Sequence, residues 1–135
     1  MVGPRGLDDP ADWPGMGSRF CAIVIDANDV DRIGAFWAAV LGWEAHLDSD
    51  GDYVLADPNH EAGFELLVLR VPEVKAVKDR LHIDLAWSGA SQAEELERLI
   101  GLGAVKVDIG QGDTSWVVLA DPEGNEFCLL NRRAD

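Results

Sequence analysis

The chain has 135 residues, 47% of them hydrophobic and 27% charged, which is typical of a single folded domain. It carries 11 basic residues against 25 acidic ones, a formal net charge of −14. Such a surface repels phosphate backbones and anionic lipid headgroups, which excludes nucleic acid and membrane surfaces as expected partners. No apolar run approaches the ~20 residues that span a bilayer, and the first ten residues contain no apolar signal core. We therefore expect a cytoplasmic protein.

The first predicted elements follow an N-terminal arm, residues 1–17, that contains three prolines and four glycines. A β-branched run at 20–25 predicts a strand. Asn28 is a suitable N-cap for the helix that follows, and Gly42 ends that helix. Apolar residues recur between them at helical spacing: Val30, Ile33, Phe36, Trp37, Val40 and Leu41. Three further strands are predicted at 43–47, 53–56 and 64–71. The first unit, residues 18–71, therefore has the order β-α-β-β-β.

A second unit, residues 81–131, repeats this order after a linker at 72–80. Ser91 and Glu94 form a capping-box pattern at the start of its helix. The predicted buried stripe of that helix consists of Ala93, Leu96, Leu99 and Ile100. The predicted strands of the second unit are 81–87, 104–109, 115–120 and 126–130.

The repeat is clearest in two hairpins that share the tetrapeptide Leu-Ala-Asp-Pro, a Gly-containing turn and then Phe-x-Leu-Leu. The aspartates of the two copies, Asp57 and Asp121, are 64 residues apart. The Leu-Gly pairs that end the two helices are 61 residues apart. Two anchors with nearly equal offsets indicate one structural unit used twice.

These paired units resemble the vicinal oxygen chelate superfamily, which includes glyoxalase I, extradiol dioxygenases, fosfomycin-resistance enzymes and bleomycin-binding proteins. The resemblance covers residues 18–131 and is carried by the segments 80–85, 102–104 and 119–128. It implies an α+β fold in which two tandem βαβββ modules form a curved mixed sheet around a cleft, with the helices outside. One such fold hosts many chemistries, so the resemblance predicts the fold better than the function.

The resemblance also implies four metal-ligand positions on the first and last strands of the two modules. They fall on Ala22, Glu65, His82 and Cys128. Alanine cannot bind a metal and cysteine replaces a carboxylate, so the set is degenerate. We expect no tightly bound metal and no other cofactor. The alternative is a His82, Glu65 and Cys128 set that holds Zn²⁺.

Strand alternation assigns further side chains to the cleft. His82 and Asp84 share one face of their strand, opposite Leu81, Ile83 and Leu85, and Asp26 and Cys128 are assigned to the cleft by the same argument. Cys21 points to the other face of its strand, so a disulfide with Cys128 is not expected. The aromatic candidates for the cleft wall are Trp87 and Trp116.

Two functions are consistent with this pattern. In the first, a lyase or isomerase other than an ordinary glyoxalase I uses His82 and Glu65 as acid and base. In the second, a metal-free protein of the bleomycin-resistance type sequesters a cationic or aromatic compound. Both imply a small-molecule ligand, bound by Asp26, Asp84, Cys128, Trp87 and Trp116, and small members of the superfamily commonly form homodimers.

Overall fold

A computed structural model describes residues 17–134 of the chain. The chain divides into two compact units, Met1–Pro72 and Glu73–Asp135. The predicted linker thus falls almost entirely in the second unit. The predicted N-terminal arm lies outside the described residues except for Gly17. In the described part of the chain, no helix is long and apolar enough to cross a membrane.

The first unit is a four-stranded mixed sheet with one helix. Its elements in chain order are β1 (Ala22–Ala27), α1 (Val30–Leu41), β2 (Glu44–Leu47), β3 (Tyr53–Ala56) and β4 (Glu65–Arg70). The strand order is β1-β4-β3-β2, with β1 and β4 parallel and the other pairs antiparallel. The predicted β-α-β-β-β order is confirmed.

The second unit has the same topology. Its elements are β5 (Asp84–Trp87), α2 (Gln92–Leu102), β6 (Val105–Lys106), β7 (Val117–Ala120) and β8 (Glu126–Arg133). The strand order is β5-β8-β7-β6, with β5 and β8 parallel and the other pairs antiparallel. The fold is therefore α+β, with the same module built twice.

Helix α1 packs its apolar stripe into the core of the first unit. Its buried residues include all of the predicted stripe except Leu41, which is half-buried. The N-cap is Asp29, whose carboxylate accepts a hydrogen bond from Arg32 N at 3.1 Å. The prediction of Asn28 as N-cap was wrong, because its side-chain amide instead donates to the carbonyl of Val71 at 3.0 Å. Gly42 ends the helix in the left-handed conformation, as predicted.

Helix α2 is less deeply buried than its pattern predicts. Ser91 caps it by accepting a hydrogen bond from Glu94 N at 3.1 Å, as predicted. The Glu94 carboxylate accepts from Ala90 N at 3.4 Å rather than from Ser91 N, so the capping-box prediction is confirmed only for Ser91. Leu99 is its one buried residue, whereas Ala93 and Ile100 are exposed. The prediction of a four-residue buried stripe was therefore wrong.

Three strands of the second unit are shorter than predicted, and the one predicted at 115–120 begins at Val117. The strand predicted at 81–87 begins at Asp84, and Leu81 is 90% exposed, so it does not belong to an apolar face that a helix covers. The strand predicted at 104–109 is reduced to β6, because the chain turns at Asp108–Gly110, where Gly110 N donates to Asp108 Oδ1.

The repeated Asp-Pro turns join β3 to β4 and β7 to β8. Asp57 accepts hydrogen bonds from the backbone of residues 59, 61 and 62. Asp121 accepts from Glu123 N and from both the backbone and side-chain nitrogens of Asn125. Each aspartate therefore holds its hairpin closed, as the turn chemistry predicts.

Candidate functional site

The parallel pairing of β5 with β8 brings together three of the predicted site residues. Asp84 lies directly opposite Cys128 in the strand register. His82 precedes Asp84 by two residues, and its Nδ1 is 3.3 Å from Asp84 Oδ1. One donor atom from each of His82, Asp84 and Cys128 lies within 4.8 Å of the other two. We call these three residues the β5–β8 cluster.

The three side chains of the β5–β8 cluster differ in exposure. The side chains of His82 and Asp84 are 44% and 49% exposed, whereas Cys128 is buried with 6% exposure. Water and small ligands can therefore reach the imidazole and the carboxylate, and the thiol forms the floor beneath them.

Burial raises the pKa of the Cys128 thiol. The carboxylate of Asp84 raises this pKa further, by its charge and by accepting a hydrogen bond from the thiol, while Lys78 acts in the opposite direction. The thiolate is the reactive form of cysteine, so a raised pKa makes Cys128 a poor nucleophile at neutral pH. Its role in the cluster is that of a hydrogen-bond donor.

The equivalent position in the first unit is occupied by Ala22 and Glu65, which face each other on β1 and β4. By strand register, Asp84 is therefore the counterpart of Ala22, and His82 lies two residues before it. Counting seven residues back from the helix N-cap gives the same result, since Asp29 leads to Ala22 and Ser91 leads to Asp84. The same count applied to the second module would have assigned the position equivalent to Ala22 to Asp84 rather than to His82.

The remaining predicted residues lie elsewhere on the two sheets. Glu65 and Asp26 belong to the first unit, where both are exposed. Trp116 directly precedes β7 and is 41% exposed. Trp87 ends β5 beyond an irregularity in its pairing with β8, and Arg133 lies 5.7 Å from the centre of its ring.

Sequence reasoning did not find the contact between the predicted linker and β8. Glu126 precedes Cys128 by two residues, and its carboxylate accepts hydrogen bonds from Lys75 Nζ at 3.0 Å and from Asp79 N at 2.8 Å. A contact between residues about fifty positions apart leaves no periodic signal in the sequence. It fixes the linker to the strand that carries Cys128.

The sequence profile of the glyoxalase-like domain matches residues 22–130, which is most of the chain. The chain belongs to the glyoxalase-like domain family. This confirms the superfamily that the sequence motifs indicate. No curated protein sequence is significantly similar to this chain.

Solved structures share the fold of this glyoxalase-like protein at low sequence identity. The fosfomycin resistance protein FosX from Mesorhizobium loti is 15% identical, with a TM-score of 0.66 over 88% of this chain and 95% of that one. A glyoxalase/bleomycin resistance protein from Albidiferax ferrireducens T118 is 20% identical, with a TM-score of 0.53 over 85% and 99% of the chains.

A FosX from Listeria monocytogenes, complexed with Mn(II) and 1S,2S-dihydroxypropylphosphonic acid, is 17% identical to this chain. Its TM-score is 0.62, over 88% of this chain and 94% of that one. Similarity at this level of identity establishes a common fold. The ligands of the β5–β8 cluster must therefore be judged from its own residues.

The donors of the β5–β8 cluster do not suit Mn²⁺, which prefers carboxylate, carbonyl and water oxygens. They comprise one imidazole, one carboxylate and one thiol. This mixed nitrogen, oxygen and sulfur set fits the preferences of Zn²⁺. Cys128 would have to lose its proton to bind the ion, and the raised pKa of the buried thiol opposes this step. The absence of a tightly bound metal remains a prediction.

Proposed function

We propose that this glyoxalase-like protein binds a small molecule at the β5–β8 cluster and acts on it as a lyase or isomerase through proton transfer by His82. The observation that carries the proposal is the distance of 3.3 Å between His82 Nδ1 and Asp84 Oδ1, with both side chains open to solvent. Imidazole is the side chain whose protonation ordinarily changes between pH 5 and 8, which suits it to general acid–base work.

The carboxylate of Asp84 gives the imidazole a defined orientation. An acceptor beside Nδ1 favours the tautomer that carries its proton there, which leaves Nε2 free to exchange a proton with a ligand. Asp84 is thus a positioning residue in this proposal, and His82 is the catalytic residue.

The second candidate function is sequestration of a cationic or aromatic compound without catalysis. It is favoured by the exposed carboxylates of Asp84, Glu65 and Asp26, which attract cations, and by the exposed ring of Trp116. In both versions we propose a cytoplasmic protein that forms a homodimer.

The two functions are separated by measuring binding and turnover on the same variants. A panel of small carbonyl, epoxide and aromatic amine compounds is screened for binding by thermal shift. Each compound that binds is then incubated with the protein, and product formation is followed by mass spectrometry. His82→Ala should abolish product formation and keep most of the binding, and Asp84→Asn should reduce turnover. His46→Ala, which removes an exposed histidine of β2, is the matched control.

Binding without any product would favour sequestration. A panel in which His82→Ala and Asp84→Asn change neither binding nor turnover would contradict the site assignment. Equal losses in His46→Ala would show that the effect does not come from the β5–β8 cluster.

A further inference from the structure

The segment 73–80, which we call the strap, has neither helix nor strand structure and lies within the second unit. Its outward side carries Val74 and Val77, which are 73% and 76% exposed. Exposed apolar side chains contribute little to holding a segment in place, because the hydrophobic effect requires removal of apolar area from water. The strap must therefore be held by other contacts.

Two such contacts are hydrogen bonds to Glu126. One oxygen of its carboxylate accepts a hydrogen bond from Lys75 Nζ at 3.0 Å, and the other accepts from Asp79 N at 2.8 Å. The side chains of Lys75 and Glu126 are only 21% and 15% exposed, so this ion pair is partly shielded from solvent. A charge-assisted pair in such a position is stronger than one on the open surface.

Glu126 and Cys128 lie on the same face of β8, since they are two residues apart. Cys128 and the two partners across the β7–β8 pairing, Val118 and Ala120, are buried, and Glu126 is half-buried. This part of the sheet face is therefore covered, whereas His82 and Asp84 beside it are exposed. The strap is part of the cover, because it contacts Glu126 directly and the charge of Lys78 acts on the Cys128 thiol.

We infer that the strap is a lid over the Cys128 end of the β5–β8 cluster and that Glu126 is the latch that fastens it. Release of the two hydrogen bonds to Glu126 frees a segment with few apolar anchors. The floor of the cluster then becomes accessible from the side of the strap. That this opening admits the ligand rests on the proposed function, whereas the latch itself can be tested without any ligand.

The test measures how fast N-ethylmaleimide, an uncharged reagent, alkylates Cys128. All variants are made in a Cys21→Ser background, because Cys21 is exposed and would react first. Glu126→Gln should accelerate alkylation of Cys128 about ten- to hundredfold, the range expected when a hydrogen-bonded charge is lost. Lys75→Met removes one of the two contacts from the strap side, without changing the sheet, and should give a smaller acceleration.

Matched controls separate release of the strap from general loosening of the fold. Glu97→Gln and Lys106→Met make the same chemical changes at exposed positions of α2 and β6 and should leave the rate unchanged. Urea unfolding of each variant reports global stability. If Glu126→Gln and Lys75→Met label as slowly as the controls, the strap is not a lid.

An acceleration that matches the loss of global stability in both variants would also overturn the inference. Because alkylation needs neither ligand nor turnover, its failure leaves the proposed role of His82 untouched. Conversely, fast alkylation of Cys128 in Glu126→Gln would support the latch even if no compound of the panel bound. The absence of any binding compound would contradict the proposed ligand site alone.

Discussion

Replacing Asp121 with alanine should destabilise the protein more than the same change at Asp57, although the two aspartates occupy the same place in the repeat. Asp121 is only 2% exposed and accepts three hydrogen bonds of 2.9, 3.0 and 2.9 Å. The side-chain amide of Asn125 can turn to water after the substitution, which leaves two backbone N–H groups, those of Glu123 and Asn125, to lose their partner. A buried donor without a partner costs about 1–3 kcal/mol, so we expect a loss of about 3 kcal/mol for Asp121→Ala.

The donors around Asp57 lie in a more open turn, in which Asn59 and Glu61 are exposed and can bond to water instead. The loss for Asp57→Ala should therefore be clearly smaller. Urea unfolding followed by tryptophan fluorescence measures both. With a slope of about 2 kcal/mol per molar urea, Asp121→Ala should lower the midpoint by about 1.5 M. Equal shifts for the two variants would refute the argument from burial.

Four further predictions concern the ion, the ligand, the assembly and the response to acid. Elemental analysis after dialysis should show no stoichiometric Ni²⁺, Zn²⁺ or Fe²⁺, and glyoxalase I activity should be absent or feeble. About one metal per chain, lost in His82→Ala, would contradict this. Cationic aromatic compounds should bind better than isosteric anions, and their affinity should fall as the salt concentration rises. Glu65→Gln should weaken the binding of cations selectively, and equal or tighter binding of anions would count against an acidic site. Light scattering at micromolar concentration should give the mass of a dimer, and a monomeric mass would end that proposal. The pKa of Asp57 is lowered, chiefly by the hydrogen bond from the backbone N–H of Asn59, although desolvation acts in the opposite direction. The contribution of the Asp57 carboxylate to folding stability should therefore be complete above about pH 4, and it should vanish as the pH falls through the lowered pKa. Asp57→Asn should be less sensitive to acid over that range, and parallel acid denaturation of both proteins would contradict the assignment.

Much of the fold could be predicted from interactions between residues that are close together in the sequence. Turn residues such as Asp57 and Asp121 act within their own hairpins, and Ser91 acts within its own helix, so their effect is present in the sequence pattern itself. The apolar stripe of α1 was readable for the same reason, because six buried residues in twelve give a clear period. Such features occur in both halves of the sequence, and together they predict the βαβββ order of each module.

The errors occurred where distant residues decide the outcome. Ile100 has the right spacing for a core residue, yet it is 45% exposed. Leu81 alternates correctly with Ile83, yet the strand pairing starts only at Asp84. A pattern specifies which residues could be buried, whereas burial itself depends on what packs against them.

The candidate site was predicted in composition and partly in geometry. His82, Asp84 and Cys128 were all named from strand alternation, and the structure brings them together. His82 was expected to work with Glu65, whereas the carboxylate found within ion-pair distance is Asp84. Asp84 follows His82 by two residues on the same face of one segment, so this neighbour is local in the sequence. The pairing of β5 with β8 adds Cys128, which is 44 positions further along the chain.

The unequal anchoring of the two helices implies that the two copies of the module have different dynamics. Helix α1 buries six residues, and α2 buries Leu99 alone. Segments with few buried contacts open at a lower free energy, so amide protons of α2 should exchange with solvent earlier than those of α1. The copy that carries the β5–β8 cluster should therefore open more readily than the first copy. Duplication of a module in this way allows one copy to stay rigid while the other fluctuates locally.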